Sequence, residues 1–206
     1  MITLRWSVVV LLLAGACGTS APSLSRAERD RLPRDARQEI FDAENDVIIA
    51  RNRQDEAGER IRALHAAMDQ VDERQGRSEK RLSSSPGGAS RVSALRRVTR
   101  AEQDYLEARL DVADSDADVA EQEVLTARAR LDLVKQRQLV RIGKAPLASL
   151  KDFEKAIEAQ EAQGKQRRAS ALDLRSKAQT RLDAWKAAQD GYASQTGDFD
   201  SGVWIE

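Results

Sequence analysis

The stretch SRVSALRRVTRAEQDYLEARLDVADSDADVAEQEVLTARARLDLVKQRQLVRI, Ser90 to Ile142, decides the fold. It contains no Gly and no Pro, and its apolar residues return at steps of three and four. The stripe reads Val92, Leu95 and Thr99, then Leu106, Leu110, Ala113, Ala117, Ala120, Val124, Ala127, Leu131 and Val134. That spacing places them on one face of a long helix. Between Thr99 and Leu110 the step slips by one residue, a stutter. Gly143 and Pro146 end the segment.

Working outward, a second stripe precedes it. Ile40, Ala43, Val47, Ala50, Ala57, Ile61, Leu64, Met68, Val71 and Leu82 keep the same alternation, interrupted by Gln54, Gln75 and Ser78. Pro33 suits the first turn of that helix, and the run Ser83-Ser84-Ser85-Pro86-Gly87-Gly88 ends it in a turn. Downstream, Ser149 caps a third helix with Asp152 in its first turn. This helix carries Phe153, Ile157, Gly164, Ala171, Leu174, Ala178, Leu182 and Trp185 and is expected to stop near Gln189. Folding back at the two turns pairs Leu82 with Val92, Ala57 with Ala117 and Val47 with Ala127. On the other side Leu106 meets Trp185, Ala113 meets Ala178 and Ala127 meets Gly164, with one stripe of the middle helix serving both partners. The fold class is all-α: an elongated antiparallel three-helix, coiled-coil-like bundle over 34–189, its helices at 34–82, 90–142 and 149–189.

Composition narrows the function. The 206 residues hold 34 basic and 34 acidic side chains, so the charge balance is zero and gives no basic surplus for a nucleic-acid backbone. One Cys and one His exclude a disulfide framework and leave too few ligands for zinc. Asp114, Asp116 and Asp118 imitate the start of a calcium loop. Val119 then stands where that loop needs Gly, and Leu125 where it needs Glu. Glu107, Asp111, Asp114, Asp118 and Glu121 instead form an acidic stripe, with Arg167, Arg168 and Arg175 expected alongside. His65 lies beside the seam of the first helix without a catalytic companion. No nucleophile elbow, phosphate loop or zinc-protease motif occurs, so no catalytic, cofactor or metal residue is assigned.

The N-terminus has its own grammar. Arg5 precedes an apolar run from Trp6 to Ala14 that is too short for an ordinary membrane span. Ala14-Gly15-Ala16-Cys17 then closes on the sole cysteine. This resembles the signal peptide and lipobox of bacterial lipoproteins, with Ala14 in place of that family's commonest Leu. The resemblance implies removal of residues 1–16 and acylation of Cys17, hence attachment to a membrane by lipid, palmitate among the chains. Gly18 rather than Asp after the cysteine implies the outer membrane, facing the periplasm or the cell surface. Residues 17–33 are expected to be a polar tether.

The C-terminal segment 190–206 is expected to be an acidic aromatic tail at the end distal from the lipid. Tyr192, Phe199 and Trp204 are its candidate partner-docking residues. Because the seams end at Trp185, deleting the tail is expected to leave stability unchanged. The run from about Arg100 to Trp185 also resembles, chiefly in composition, the α-helical hairpins of periplasmic efflux adaptors. Of that family's tip pattern, placed on Gln138, Ile142 and Ser149, only the Ser is kept. The expected role is non-enzymatic: an envelope lipoprotein acting as helical spacer, tether or assembly partner, with a protein partner and no nucleic acid. The alternative is an accessory subunit of an efflux, secretion or surface-motility machine docking through its hairpin ends. Self-association into a homo-oligomer is compatible with the seams.

Overall fold

The computed structural model describes residues 22–84 and 87–197. Among them every regular element is helical: α1 (Arg26–Arg31), α2 (Arg34–Ser83), α3 (Gly88–Arg141) and α4 (Leu150–Thr196), with a 3₁₀ turn at Leu147–Ser149 before α4. The all-α antiparallel bundle expected from the stripes is present. Just past the end of α3, Gly143 has a left-handed φ of 72° and reverses the chain. The Lys144 N–H then donates to the Leu139 carbonyl at 2.8 Å, satisfying a carbonyl of the last turn.

The register between α2 and α3 is read directly from side-chain pairs. Glu79 meets Arg96, Asp72 meets Gln103, Arg74 meets Glu102, Arg53 meets Glu123 and Glu39 meets Gln138. Each pair lies within a turn of the expected alignment, from one end of the helices to the other. The apolar layers between them are those of the stripes: Val47, Ala50, Val124 and Ala127 in one, Leu64, Val71, Leu106 and Ala113 in another.

Helix α4 departs from the expectation of a shared stripe. It packs on a second face of α3 that includes Val98, Tyr105, Gln122 and Gln136. Ala101, Val112, Val119, Thr126 and Leu133 share the helical spacing of that face, and none of the nine is exposed. Gln122 is 1% exposed, and its amide donates to the Gln160 carbonyl at 3.0 Å and to the Gln160 Oε1 at 2.5 Å. Gln136 donates to Ser149 Oγ at 2.6 Å. Because α3 uses separate faces, α2 and α4 both follow it closely while sharing almost no direct contact with each other. Helix α3 is the spine of the molecule.

Two segment boundaries are corrected. The expected tether 17–33 is ordered in its second half. Ser25 and Glu28 form a reciprocal capping box that starts α1. Leu24 and Leu32 are buried with Ala36 and Ile40, packed against Val134 and Leu139. Burying two leucines offsets the entropy of fixing a short segment. At the other end α4 continues through Gly191 to Thr196, seven residues beyond the expected stop at Gln189. Glycine inside a helix costs only about 1 kcal/mol against Ala. The burial that follows it outweighs that cost.

Candidate functional site

Three places on the rod hold the residues that matter: the trough between α2 and α4, the end at the α2–α3 turn, distal from the N-terminal segment α1, and the end at the α3–α4 turn, proximal to it. The trough follows from the two faces of α3. Ala63, Leu64 and Ala67 of α2 form one wall, Ala178, Leu182 and Trp185 of α4 the other, and Leu106, Arg109 and Ala113 lie between. The recess has a volume of about 560 Å³. Tyr105 and Trp185 stack at its upper end, ring centroids 5.4 Å apart and 21° from parallel, and the Arg109 guanidinium lies 5.8 Å from the Tyr105 ring centre. The buried Trp185 indole N–H has no acceptor among the described residues. Beneath the trough Glu102 is buried and takes a 2.8 Å ion pair from Arg74. Burial outweighs that pair and raises the Glu102 carboxyl above its ordinary value. Toward the proximal half the trough continues as a recess of about 500 Å³ over Ala50, Gln122, Ala127 and Gly164, rimmed by Arg53, Arg130, Arg168, Glu123 and Glu161.

The acidic stripe meets its arginines, with the partners partly exchanged. Arg167 reaches Glu121 at 3.6 Å and also donates to the Asp118 carbonyl. Arg168 pairs with Glu123 and Arg175 with Asp116, on the other flank of α4. These exposed pairs align helices more than they stabilise them. Among the described residues no group of three or more His, Cys, Asp or Glu is placed to hold a metal ion. His65 is exposed on α2.

Of the candidate docking residues, Tyr192 is reassigned. It is 2% exposed and packs with Ala94, Leu95, Val98 and Trp185, so it belongs to the core of the distal end. A phenol buried among aliphatic side chains cannot dock to a partner without breaking that core. Phe199 and Trp204 lie outside the described residues, as does Cys17. The distal end is also tied by Glu79, which takes two 2.9 Å hydrogen bonds from Arg96 and is drawn down to a pKa of about 2 by them and by Gln75.

At the proximal end the α1 segment is tied to the α3–α4 turn. Glu28 is bonded to Lys144, and that bond with the Ser25 cap lowers the carboxyl to about 2. Arg29 pairs with Glu44 at 2.8 Å. The turn itself leaves Leu147 71% and Ile142 37% exposed. Between Arg141 and Lys151 there are three cations and no acid. Sequence reasoning places a hairpin tip here, on Gln138, Ile142 and Ser149, but not Leu147 or the α1 segment, whose apolar residues do not follow a helical period. The Ser25-x-x-Glu28 capping box was the signal from which α1 could have been read.

No family model, curated protein or solved structure matches this chain.

Proposed function

We propose that the protein is a non-enzymatic lipoprotein of the cell envelope, anchored through acylated Cys17, whose helical body acts as a spacer, tether or assembly partner. The observation that carries this reading is the combination of a lipobox-like Ala14-Gly15-Ala16-Cys17 with a body drawn out along one axis. The 54 residues of α3 span about 80 Å at 1.5 Å per residue, and α2 and α4 accompany it over nearly that length. Such a shape is held by narrow seams, and its useful property is reach. Among the described residues no helix is long and apolar enough to cross a membrane, so attachment in this reading rests on lipid. Several acyl chains hold a protein stably where one does not.

The test is replacement of Cys17 with Ser. The variant is expected to lose acyl labelling and to move from the membrane to the soluble fraction. Persistence in the membrane pellet after a high-salt wash contradicts the lipid anchor.

A further inference from the structure

We propose that the α3–α4 turn, Arg141 to Lys151, is a membrane-contacting tip that seats the rod on an anionic lipid surface. Two independent observations lead to it. The first is chemical. Leu147, 71% exposed, is the most exposed large apolar side chain among the described residues, and Ile142 is exposed beside it at the end of α3. Arg141 and Lys151 flank them, and neither has an ion-pair partner among the described residues, whereas Lys144 is held by Glu28. Apolar side chains that enter the headgroup boundary, ringed by cations that bind anionic headgroups, are the ingredients of interfacial attachment. Pro146 and the left-handed Gly143 hold this turn in a fixed loop, so the apolar residues are presented without a large ordering cost.

The second observation is topological. Leu24 and Leu32 pack on Val134 and Leu139, and Glu28 is bonded to Lys144, so the N-terminal segment is fastened to this same end of the rod. From Cys17 to Leu24 the chain has seven links, which reach at most about 25 Å fully extended. The acyl anchor of the proposed function therefore holds the α3–α4 turn within a short distance of the bilayer. The distal end, some 80 Å away along α3, is beyond its reach. The tip rests on that reading for its proximity to lipid, while its chemistry is its own.

The experiment places an environment-sensitive probe at Ala148→Cys, which leaves Leu147 intact, with Leu172→Cys as an exposed mid-rod control. The full chain is processed in cells, purified, and reconstituted in vesicles of phosphatidylethanolamine and phosphatidylglycerol containing a nitroxide lipid. The probe at 148 is expected to shift to the blue and to be quenched, and the probe at 172 to do neither. Adding Leu147→Gln should return the 148 probe to its aqueous spectrum with unchanged melting temperature. Replacing phosphatidylglycerol with phosphatidylcholine should weaken the contact about five-fold per participating cation. Leu125→Gln, an exposed apolar residue well inside α3, should change nothing.

Mass measurement of Cys17 separates the two ideas. Acylated protein with an aqueous, unquenched 148 probe overturns the tip and leaves the anchor standing. Protein without acyl chains whose 148 probe is quenched by added vesicles overturns the anchor and supports the tip. Protein lacking both overturns both.

Discussion

At the distal end of the rod Leu95, Val98, Trp185 and Tyr192 are sealed among three helices, whereas at the proximal end Leu147 and Ile142 stand out beside Arg141 and Lys151. Both ends carry cations. At the distal end Arg96 is held by Glu79 and Arg97 by Gln195, and what sets that end apart is that the exposed large apolar residues identified among the described residues lie elsewhere. The difference teaches that the two turns have different tasks. One closes a core, and the other spends no packing on its apolar side chains while the N-terminal segment is tied down next to it.

The sharpest way to break this comparison is to open the sealed end. Trp185→Ala removes the largest side chain of the distal cluster and its stack on Tyr105, and is expected to cost about 3–5 kcal/mol, read as a fall in denaturation midpoint with unchanged slope. Deleting 191–206 should lower stability as well, because Tyr192 goes with it. A melting temperature equal to the parent's would return Tyr192 to the tail.

Leu32→Ala attacks the proximal clamp and is expected to cost about 2 kcal/mol, less than the distal change because α1 is short and terminal. Its signature is local. Amide exchange should accelerate in α1 and at the start of α2, and protection around Leu95 and Val98 should hold. Uniform loss of protection would mean that the two ends form one cooperative unit.

Glycines sharpen the same picture. At Gly88 an added Cβ would sit 2.4 Å from the Leu82 carbonyl oxygen, so Gly88→Ala must push α3 away from the end of α2 at a cost of about 1–3 kcal/mol. At Gly76 nothing lies within 4 Å, and Gly76→Ala should stabilise by about 0.5–1 kcal/mol. Equal effects at the two positions would contradict the close approach at the distal turn.

The smallest effect is expected from acid. Glu28 and Glu79, one at each end, both have folded pKa values of about 2, below the ordinary 4.5. For a lowered acid the stabilisation is present above the unfolded value and disappears as pH falls from about 5 toward 2. Glu102 has the opposite sign: its raised pKa favours the folded state at low pH, and that contribution is lost as pH rises through the folded value. Glu28→Gln should flatten the acid limb seen by exchange in α1, and Glu79→Gln the limb seen at the distal turn. Solvent screening keeps both changes small.

Much of the fold was legible because its seams obey a strict alternation. The Ile40–Leu82 stripe and the stripe of α3 that meets it could be read residue by residue, and both turns carry Gly and Pro. The second face of α3 was hidden because its buried positions include Gln122 and Gln136, with the half-buried Thr126 between them. An apolar period does not register a seam whose members are buried by hydrogen bonding. The α4 overrun was missed for a related reason: Gly191 reads as a helix stop, and only the burial of Tyr192 outweighs it. Leu24 and Leu32 were missed because they are eight residues apart with only Ala27 between them, too short a run to show a period. The candidate docking residues rest on aromaticity within an acidic segment without an evident helical period, which does not distinguish a core phenol from an interface one.

Neutron reflectometry of the acylated protein on a supported bilayer tests the central claim most directly, since it reads how far protein density extends from the lipid. An upright rod seated by the α3–α4 turn predicts a protein layer about 80 Å deep, the length of α3, with its far edge set by the Ser83–Gly88 turn. A layer only about 20 Å deep, the thickness of two packed helices, would mean that the molecule lies along the membrane and would contradict the proposal that it acts as a spacer.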